Sequence, residues 1–194
     1  MRLNIAFLCD GAVLAGALNG KTAFATIVKA VSDEPLKPTP LFLDFKEVDI
    51  ATASYIRESV FALKSYFRSV SSKFYPVVAN ANNSVYDEIL LIANAKGDAI
   101  LSCQIDMNES VSEISLIGQL DPKQKLTFDL VNELRGNELR GVDANQLMAK
   151  YGASEQTKNP TAWNNRLASL VSKGLVREFT QGRSKYYRPL IEEV

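Results

Sequence analysis

The sequence predicts a protein of two domains, an α/β layer followed by a smaller α+β unit. Strand-like and helix-like segments alternate from residue 3 to residue 105, which is typical of helices packed on a sheet. After Pro122 the pattern changes to short helices followed by two alternating strands. We therefore expect an α/β domain over residues 1–118 and an α+β domain over residues 119–194.

The first domain contains three amphipathic helical patterns between strand-like runs. Its predicted strands are residues 3–8, 41–45, 76–79 and 99–105, and its predicted helices are residues 21–31, 51–70 and 85–95. The helix over 51–70 has a wide apolar face and must pack on the sheet. In residues 112–117 the alternation of apolar and polar residues is less regular, which predicts either an edge strand or a connector.

The second domain is predicted to consist of three helices and a hairpin. The first helix covers residues 125–134, and the second begins after the capping residue Asp143. The third, over 159–173, has one apolar stripe formed by Trp163, Leu167, Leu170 and Val171. Strands at 175–180 and 184–190 flank a turn in which Gly182 can adopt positive φ. Three helices and a basic hairpin are the layout of a winged helix, a helix-turn-helix variant.

The charge of the chain is distributed unevenly although its sum is zero. Residues 1–120 have 10 Lys+Arg and 13 Asp+Glu, whereas residues 121–194 have 12 and 9. Between Lys158 and Arg188 there are seven cations and one anion, Glu178. Such a local excess of positive charge suits the phosphates of a nucleic acid.

The third helix and the hairpin therefore supply the candidate DNA contacts. Asparagine can pair with adenine in the major groove, threonine can contact a thymine methyl group, and basic side chains hold phosphates. The candidates are Lys158, Thr161, Asn164, Asn165, Arg166, Arg177, Arg183, Lys185 and Arg188. The alternative is that these residues form a solvated face of a protein-binding module. Trp163 is expected in the core, with one of Tyr186 and Tyr187 packed under the hairpin.

The segment from Thr161 to Arg188 resembles the recognition helix and wing of bacterial winged-helix regulators. Those proteins usually have a small or polar helix start, an Arg-Leu pair near the middle, a leucine one turn later, and Lys or Glu followed by Gly-Leu-Val before the wing. These elements stand here as Thr161, Arg166-Leu167, Leu170 and Lys173-Gly174-Leu175-Val176. The chain departs from the pattern at Trp163, where a smaller aliphatic residue is usual. The resemblance implies DNA binding by helix 159–173 and wing 175–190.

The first domain is similar to the STAS-like family, which is related to the anti-sigma-factor antagonists. The similarity rests on Leu43-Asp44-Phe45-Lys46-Glu47-Val48 followed by Ser54-Tyr55-Ile56-Arg57-Glu58. In the antagonists that are switched by phosphorylation, the helix after this strand begins with the sequence Asp-Ser-Ser/Thr-Gly. Here Ala53 occupies the place of the phosphorylated serine. The resemblance implies a sensing or docking domain, and Ala53 argues against a phosphorylation switch of the kind those antagonists have.

The residue inventory limits the enzymatic possibilities. The chain has no histidine, and Cys9 and Cys103 are not spaced as metal ligands. Residues 15–22, AGALNGKT, fit a relaxed phosphate loop with Asp44 as its magnesium ligand; the competing interpretation is a turn at Asn19-Gly20 that starts an ordinary helix. Asp44 with Asp49, or Asp87 with Glu88, could form an acid/base pair, but turn and helix-start roles are far more common for such residues. We expect no catalytic residue, cofactor or metal.

These observations predict a cytoplasmic, DNA-binding transcriptional regulator that is not an enzyme. Its partner is double-stranded DNA, and a regulatory protein at the first domain and a second copy of the chain are further candidates. A protein-interaction adaptor that uses both domains is the alternative function. No run of apolar residues reaches the length of a membrane span, and Asn4 and Asp10 interrupt the apolar start that could suggest a signal peptide.

Overall fold

The computed structural model describes residues 1–134 and 141–191 and shows a mixed α/β protein with a mainly parallel central sheet. Its contacts form two compact units. The first contains Met1–Gln119 together with Ile191, and the second is Leu120–Leu190. In the described parts of the chain, no helix is long and apolar enough to cross a membrane.

The first unit is built on a five-stranded sheet. Its strands, in chain order, are β1 (Arg2–Asn4), β2 (Val13–Leu14), β3 (Thr39–Asp44), β4 (Ile50–Ala51), β5 (Phe74–Ala79), β6 (Ala99–Ile105) and β7 (Val111–Gly118). The central sheet has the order β1-β3-β5-β6-β7, in which only β7 is antiparallel to its neighbour. Strands β2 and β4 form a separate parallel pair.

Helices join the parallel strands, as a parallel sheet requires. They are α1 (Ile5–Leu8), α2 (Ala17–Ala30), α3 (Ala53–Ile56), α4 (Ala62–Ser69) and α5 (Asn83–Lys96), and a π-helical segment, Arg57–Phe61, connects α3 to α4. All six residues of β5 are buried, which is typical of a parallel strand covered on both faces. Pro76 of β5 has no N–H to donate, and β5 pairs with β6 only beyond it, at Val78 and Ala79.

The structure confirms most predicted elements of this unit and corrects the first one. Residues 5–8 form a helical turn and not the second half of a strand, because Asn4 accepts a hydrogen bond from the N–H of Phe7 and caps that turn. Helix α2 begins at Ala17, one turn earlier than predicted. Residues 111–118 are an edge strand, which settles the alternative left open by their weak alternation.

In the residues that the structure describes, the second unit has the predicted order of three helices and a hairpin. These elements are α6 (Pro122–Glu133), α7 (Ala144–Tyr151), α8 (Thr161–Ser172), β8 (Val176–Gln181) and β9 (Ser184–Pro189). Asp121 caps α6, and Asp143 forms a reciprocal capping box with Gln146 at the start of α7. Ahead of α7, Val142 exchanges two backbone hydrogen bonds with Tyr187 of β9, which ties the helices to the hairpin.

Candidate nucleic acid interface

Helix α8 has one buried face and one exposed polar face. Trp163, Leu167 and Leu170 are fully buried, as the stripe predicted. The exposed residues recur at helical spacing on the other side and are Thr161, Asn164, Asn165, Ala168 and Ser172. The predicted contacts Thr161, Asn164 and Asn165 thus share one accessible face. Sequence analysis missed Ala168 and Ser172, which lengthen this face and carry no charge.

The N-terminal end of α8 is accessible and lies next to a cation. Asn159 and Lys158 are both exposed, and the Oδ1 atom of Asn159 accepts a hydrogen bond from the N–H of Thr161 at 3.0 Å. The helix begins at Thr161, two residues after the start of the predicted range 159–173. An exposed helix N-terminus attracts anions because its free N–H groups can donate hydrogen bonds and because the positive end of the helix dipole lies there.

Arg166 does not lie on this accessible face. Its side chain is 9% exposed, forms an ion pair with Glu155 (Nη1 to Oε2, 3.1 Å), and stacks on Trp163 with its Cζ 4.6 Å from the ring centroid. The prediction that Arg166 holds a phosphate therefore does not fit the structure. Spacing could not reveal this, because the partner Glu155 lies in the preceding loop and not on the helix.

The loop between α7 and α8 is tied to the buried face of α8. It spans nine residues, 152–160, whereas a helix-turn-helix turn commonly has about three or four. The indole Nε1 of Trp163 donates to Oγ1 of Thr157 at 3.0 Å, and that hydroxyl lies 3.2 Å from the sulfur of Met148 on α7. With the Arg166–Glu155 pair, these contacts fix the loop that carries Lys158 and Asn159.

The hairpin β8–β9 separates its charged residues onto two faces. Arg177 lies directly opposite Arg188 in the register, so their side chains share one face. Both are half-buried. Lys185 and Glu178 share the other face and form an ion pair of 2.9 Å between Nζ and Oε1. The four predicted hairpin cations therefore do not converge at one point.

Arg183 and Lys185 are the most accessible cations of the hairpin. Arg183 follows Gly182, which has a φ of 63° at the first position of the two-residue turn. The Lys185 side chain is 59% exposed despite its pair with Glu178. Such an exposed pair is worth at most about 1 kcal/mol, so a phosphate can compete for the lysine.

Two aromatic residues lie on the same face as Arg177 and Arg188. Phe179 and Tyr186 are opposite each other in the register, with ring centroids 6.2 Å apart and nearly parallel planes. The guanidinium carbon of Arg188 lies 5.0 Å from the centre of the Phe179 ring. Arg188 is thus partly engaged within the hairpin.

Tyr187 occupies the face of the hairpin turned toward the helices. It is 2% exposed, whereas Tyr186 is half-buried, so the predicted division between the two tyrosines is confirmed. Burial first, and then the charge and hydrogen bond of Glu178, raise the pKa of Tyr187 to about 12. Tyr187 is therefore neutral at physiological pH and serves to pack the hairpin.

The first unit does not form a phosphate loop at residues 15–22. Only Ala15 and Gly16 separate β2 from α2, and Gly20, Lys21 and Thr22 lie inside the helix. Because these three residues are helical, their N–H groups lie along the helix axis. They therefore cannot form a loop around a phosphate. The competing interpretation, a turn at Asn19-Gly20, is also incorrect, since both residues are helical.

Asp44 is held by neighbouring polar groups at the end of β3. It is 3% exposed and accepts hydrogen bonds from Arg2 (Nη2 to Oδ2, 2.6 Å), Asn80 (Nδ2 to Oδ1, 2.8 Å) and the backbone N–H of Lys46 (3.1 Å). These contacts link the start of β1 and the end of β5 to β3. The residue is thus a structural cross-link in this fold.

The described residues contain no cluster of three or more potential metal ligands. Comparison with known proteins adds no assignment: no protein-family model matches the sequence, and neither does any curated protein. The arrangement of α8, the preceding loop and the hairpin is therefore the basis for a functional hypothesis.

Proposed function

We propose that this protein binds double-stranded DNA through α8 and the hairpin β8–β9 and acts as a transcriptional regulator. The observation that carries the proposal is the accessible polar face of α8 in the same compact unit as the exposed cations Lys158, Arg183 and Lys185. In this proposal the second unit is a winged helix, and the first is a STAS-like domain that controls it. DNA binding would place the protein in the cytoplasm of a bacterial cell.

The chemistry of the proposed interface divides between its two elements. Asn164 and Asn165 offer amide groups that can pair with the edge of an adenine, and Thr161 can contact a thymine methyl group. The cations of the loop and the hairpin would neutralise phosphates without reading sequence. With Arg166 engaged by Glu155, the proposed phosphate contacts are Lys158, Arg177, Arg183, Lys185 and Arg188.

The salt dependence of binding tests the role of the hairpin. Each phosphate contact contributes about 0.9 to the slope of log K against log salt concentration. Replacing Arg183 and Lys185 with alanine should therefore reduce the slope by about two and weaken binding to all duplexes. A matched control is Lys29→Ala with Lys37→Ala, which removes the same charge from exposed positions of the first unit. Equal affinities of wild type and the hairpin variant at low salt would contradict the proposal.

The identity of bound sequences tests the role of α8. Selection from a random pool of duplexes should yield a preferred site with wild-type protein. Asn164→Ala should relax the preference at one base pair, with a loss of about 1–3 kcal/mol in discrimination and little change in the salt slope. Recovery of the same sequences with the same discrimination would show that Asn164 reads no base.

A protein-interaction adaptor is the second candidate function. It is favoured by one observation, that the exposed face of α8 carries no charged side chain, whereas many DNA-reading helices use arginine. A gel-shift titration with random duplex separates the two candidates. Salt-sensitive retention favours the regulator, and no retention at low salt favours the adaptor. Pairing of two copies to read two half-sites is an additional proposal that the regulator would allow.

A further inference from the structure

The first unit contains a cavity that is not part of the proposed DNA interface. It lies between the segment from α1 to β2, one side of α2, and Tyr55 of α3, and its volume is about 160 Å³. A cavity of about 150 Å³ in another protein is large enough to admit benzene. The space therefore suits a small organic molecule of about that size.

Tyr55, whose hydroxyl group is buried, is one of the residues that line this cavity. Tyr55 is 2% exposed, and its hydroxyl makes no hydrogen bond of ordinary geometry with any residue that the structure describes. The thiol of Cys9 lies near enough to affect it, and burial raises the pKa of both groups. Both side chains are therefore neutral at physiological pH.

The two threonines of α2 that line the cavity have already used their donors. Thr22 donates its hydroxyl hydrogen to the carbonyl of Leu18, and Thr26 donates to the carbonyl of Thr22. A hydroxyl has one hydrogen, so what both threonines retain is acceptor capacity. Asn19 donates one N–H of Nδ2 to the carbonyl of Ala15 and retains its second N–H and its Oδ1 acceptor. This wall of the cavity therefore favours a ligand that donates hydrogen bonds.

The charge of the cavity points in the same direction. Asp10 lines it and is exposed, and none of the eleven lining residues is lysine or arginine. Asp10 has a φ of 56°, a left-handed conformation that aspartate adopts more readily than most residues. A carboxylate without a cation nearby favours a positively charged ligand and disfavours an anion. Leu8, Val13 and Leu14 supply an apolar part of the wall.

We propose that this cavity binds a small organic amine in its ammonium form. The ammonium group donates hydrogen bonds to the Asp10 carboxylate and the neighbouring acceptors, while the carbon skeleton lies against the apolar wall beside Tyr55. The first unit would thereby hold a ligand of its own, independently of whether the second unit binds DNA.

Three probes of nearly equal shape test the charge preference. Benzylamine is a cation at neutral pH, benzyl alcohol is neutral and benzoate is an anion. Titration of the full chain, followed by changes in backbone amide chemical shifts, should show binding of benzylamine about tenfold tighter than that of benzyl alcohol. The shifts should centre on residues 8–26 and Tyr55, and benzoate should bind most weakly.

Two substitutions separate binding from folding. Asp10→Asn should weaken benzylamine binding about tenfold and leave benzyl alcohol binding unchanged, because only the amine uses the charge. Asp87→Asn, at an exposed position of α5, is the matched control and should change neither affinity.

The proposal is overturned by any of four results. These are the absence of benzylamine binding, equal affinities for all three probes, benzylamine affinity that Asp10→Asn leaves unaffected, and shifts centred outside the cavity.

Discussion

At the scale of single residues, the environment of a charged side chain decides its role. Arg166 lies within the basic segment of the chain, yet its guanidinium group stacks on Trp163 and pairs with Glu155. Lys158, in the same segment, is exposed. The two cations look equivalent in sequence, but one stabilises a loop and the other remains accessible to a phosphate.

Substitution of Arg166 tests this difference. Arg166→Ala leaves Glu155 partly buried without its partner and removes a side chain from the Trp163 ring. We expect a loss of about 2–3 kcal/mol in the free energy of unfolding, measured by urea denaturation. The control Lys158→Ala should change stability by less than about 0.5 kcal/mol. If Arg166→Ala left stability unchanged and weakened DNA binding, the structural role would be wrong.

Cys103 provides a residue-scale prediction on pH. Burial, and then the charge of Asp44, raise the pKa of the Cys103 thiol from 9.0 to about 12, while Arg2 acts in the opposite direction. Because the unfolded chain releases this proton at a lower pH, the stability contribution is complete below about pH 9 and is lost as pH rises toward about 12. Wild type should therefore lose more stability than Cys103→Ala between about pH 8 and about pH 10.5. Parallel losses in the two proteins, measured by urea denaturation, would contradict this.

At the scale of elements, the packing of α2 against α3 depends on the absence of a side chain at Gly20. A Cβ atom there would lie 2.7 Å from the carbonyl oxygen of Tyr55 and 3.0 Å from Cβ of Glu58. The neighbouring helix is itself irregular, since α3 continues as the π-helical segment and the hydroxyl of Ser59 donates to that same Tyr55 carbonyl. Close approach of the two helices therefore requires glycine.

Gly20→Ala separates helix propensity from packing. In an isolated helix the substitution stabilises by about 1 kcal/mol. Here we expect a destabilisation of about 1–3 kcal/mol, because the added methyl group meets backbone that cannot move freely. Asn94→Ala, at an exposed position of α5, is the control and should stabilise by a few tenths of a kcal/mol, as propensity indicates. A gain in stability with Gly20→Ala, measured by thermal unfolding, would exclude the close contact.

At the scale of the whole molecule, the two units differ in charge. Residues 1–120 have an excess of three acidic side chains, whereas residues 121–190 have twelve Lys+Arg and seven Asp+Glu. If the second unit binds DNA as proposed, the acidic first unit opposes the approach of the phosphate backbone at low ionic strength. The net charge of zero is then the sum of an acidic first unit, which disfavours DNA binding, and a basic second unit, which favours it.

Removal of the first unit tests that balance. The fragment 120–190 should bind random duplex more tightly than the full chain at about 10 mM salt, where the screening length is about 30 Å. The difference should shrink at about 0.15 M salt, where that length falls to about 8 Å. Circular dichroism of the fragment is the control for folding. A difference that did not depend on salt would indicate a steric cause.

Local features of the sequence determined the elements and their accessible faces. The apolar stripe of α8, the cap Asp143 and the turn at Gly182 act through residues within a few positions, so periodicity and composition revealed them. The first strand was predicted too long because the side chain of Asn4 ends it by capping α1. From the sequence alone, such a capped helical turn is difficult to distinguish from a strand, because both are apolar.

Only the tertiary structure decided which polar groups are accessible and which are engaged. Arg2, Asp44 and Asn80 meet from three distant parts of the chain, and Asp10, Thr26 and Tyr55 line one cavity although they are far apart in sequence. Such groupings depend on strand order and helix packing, and neither can be predicted from the periodicity of apolar residues in the sequence. The sequence by itself thus determined a basic hairpin beside a polar helix face, while the fold removed Arg166 from that surface and created the acceptor-lined cavity.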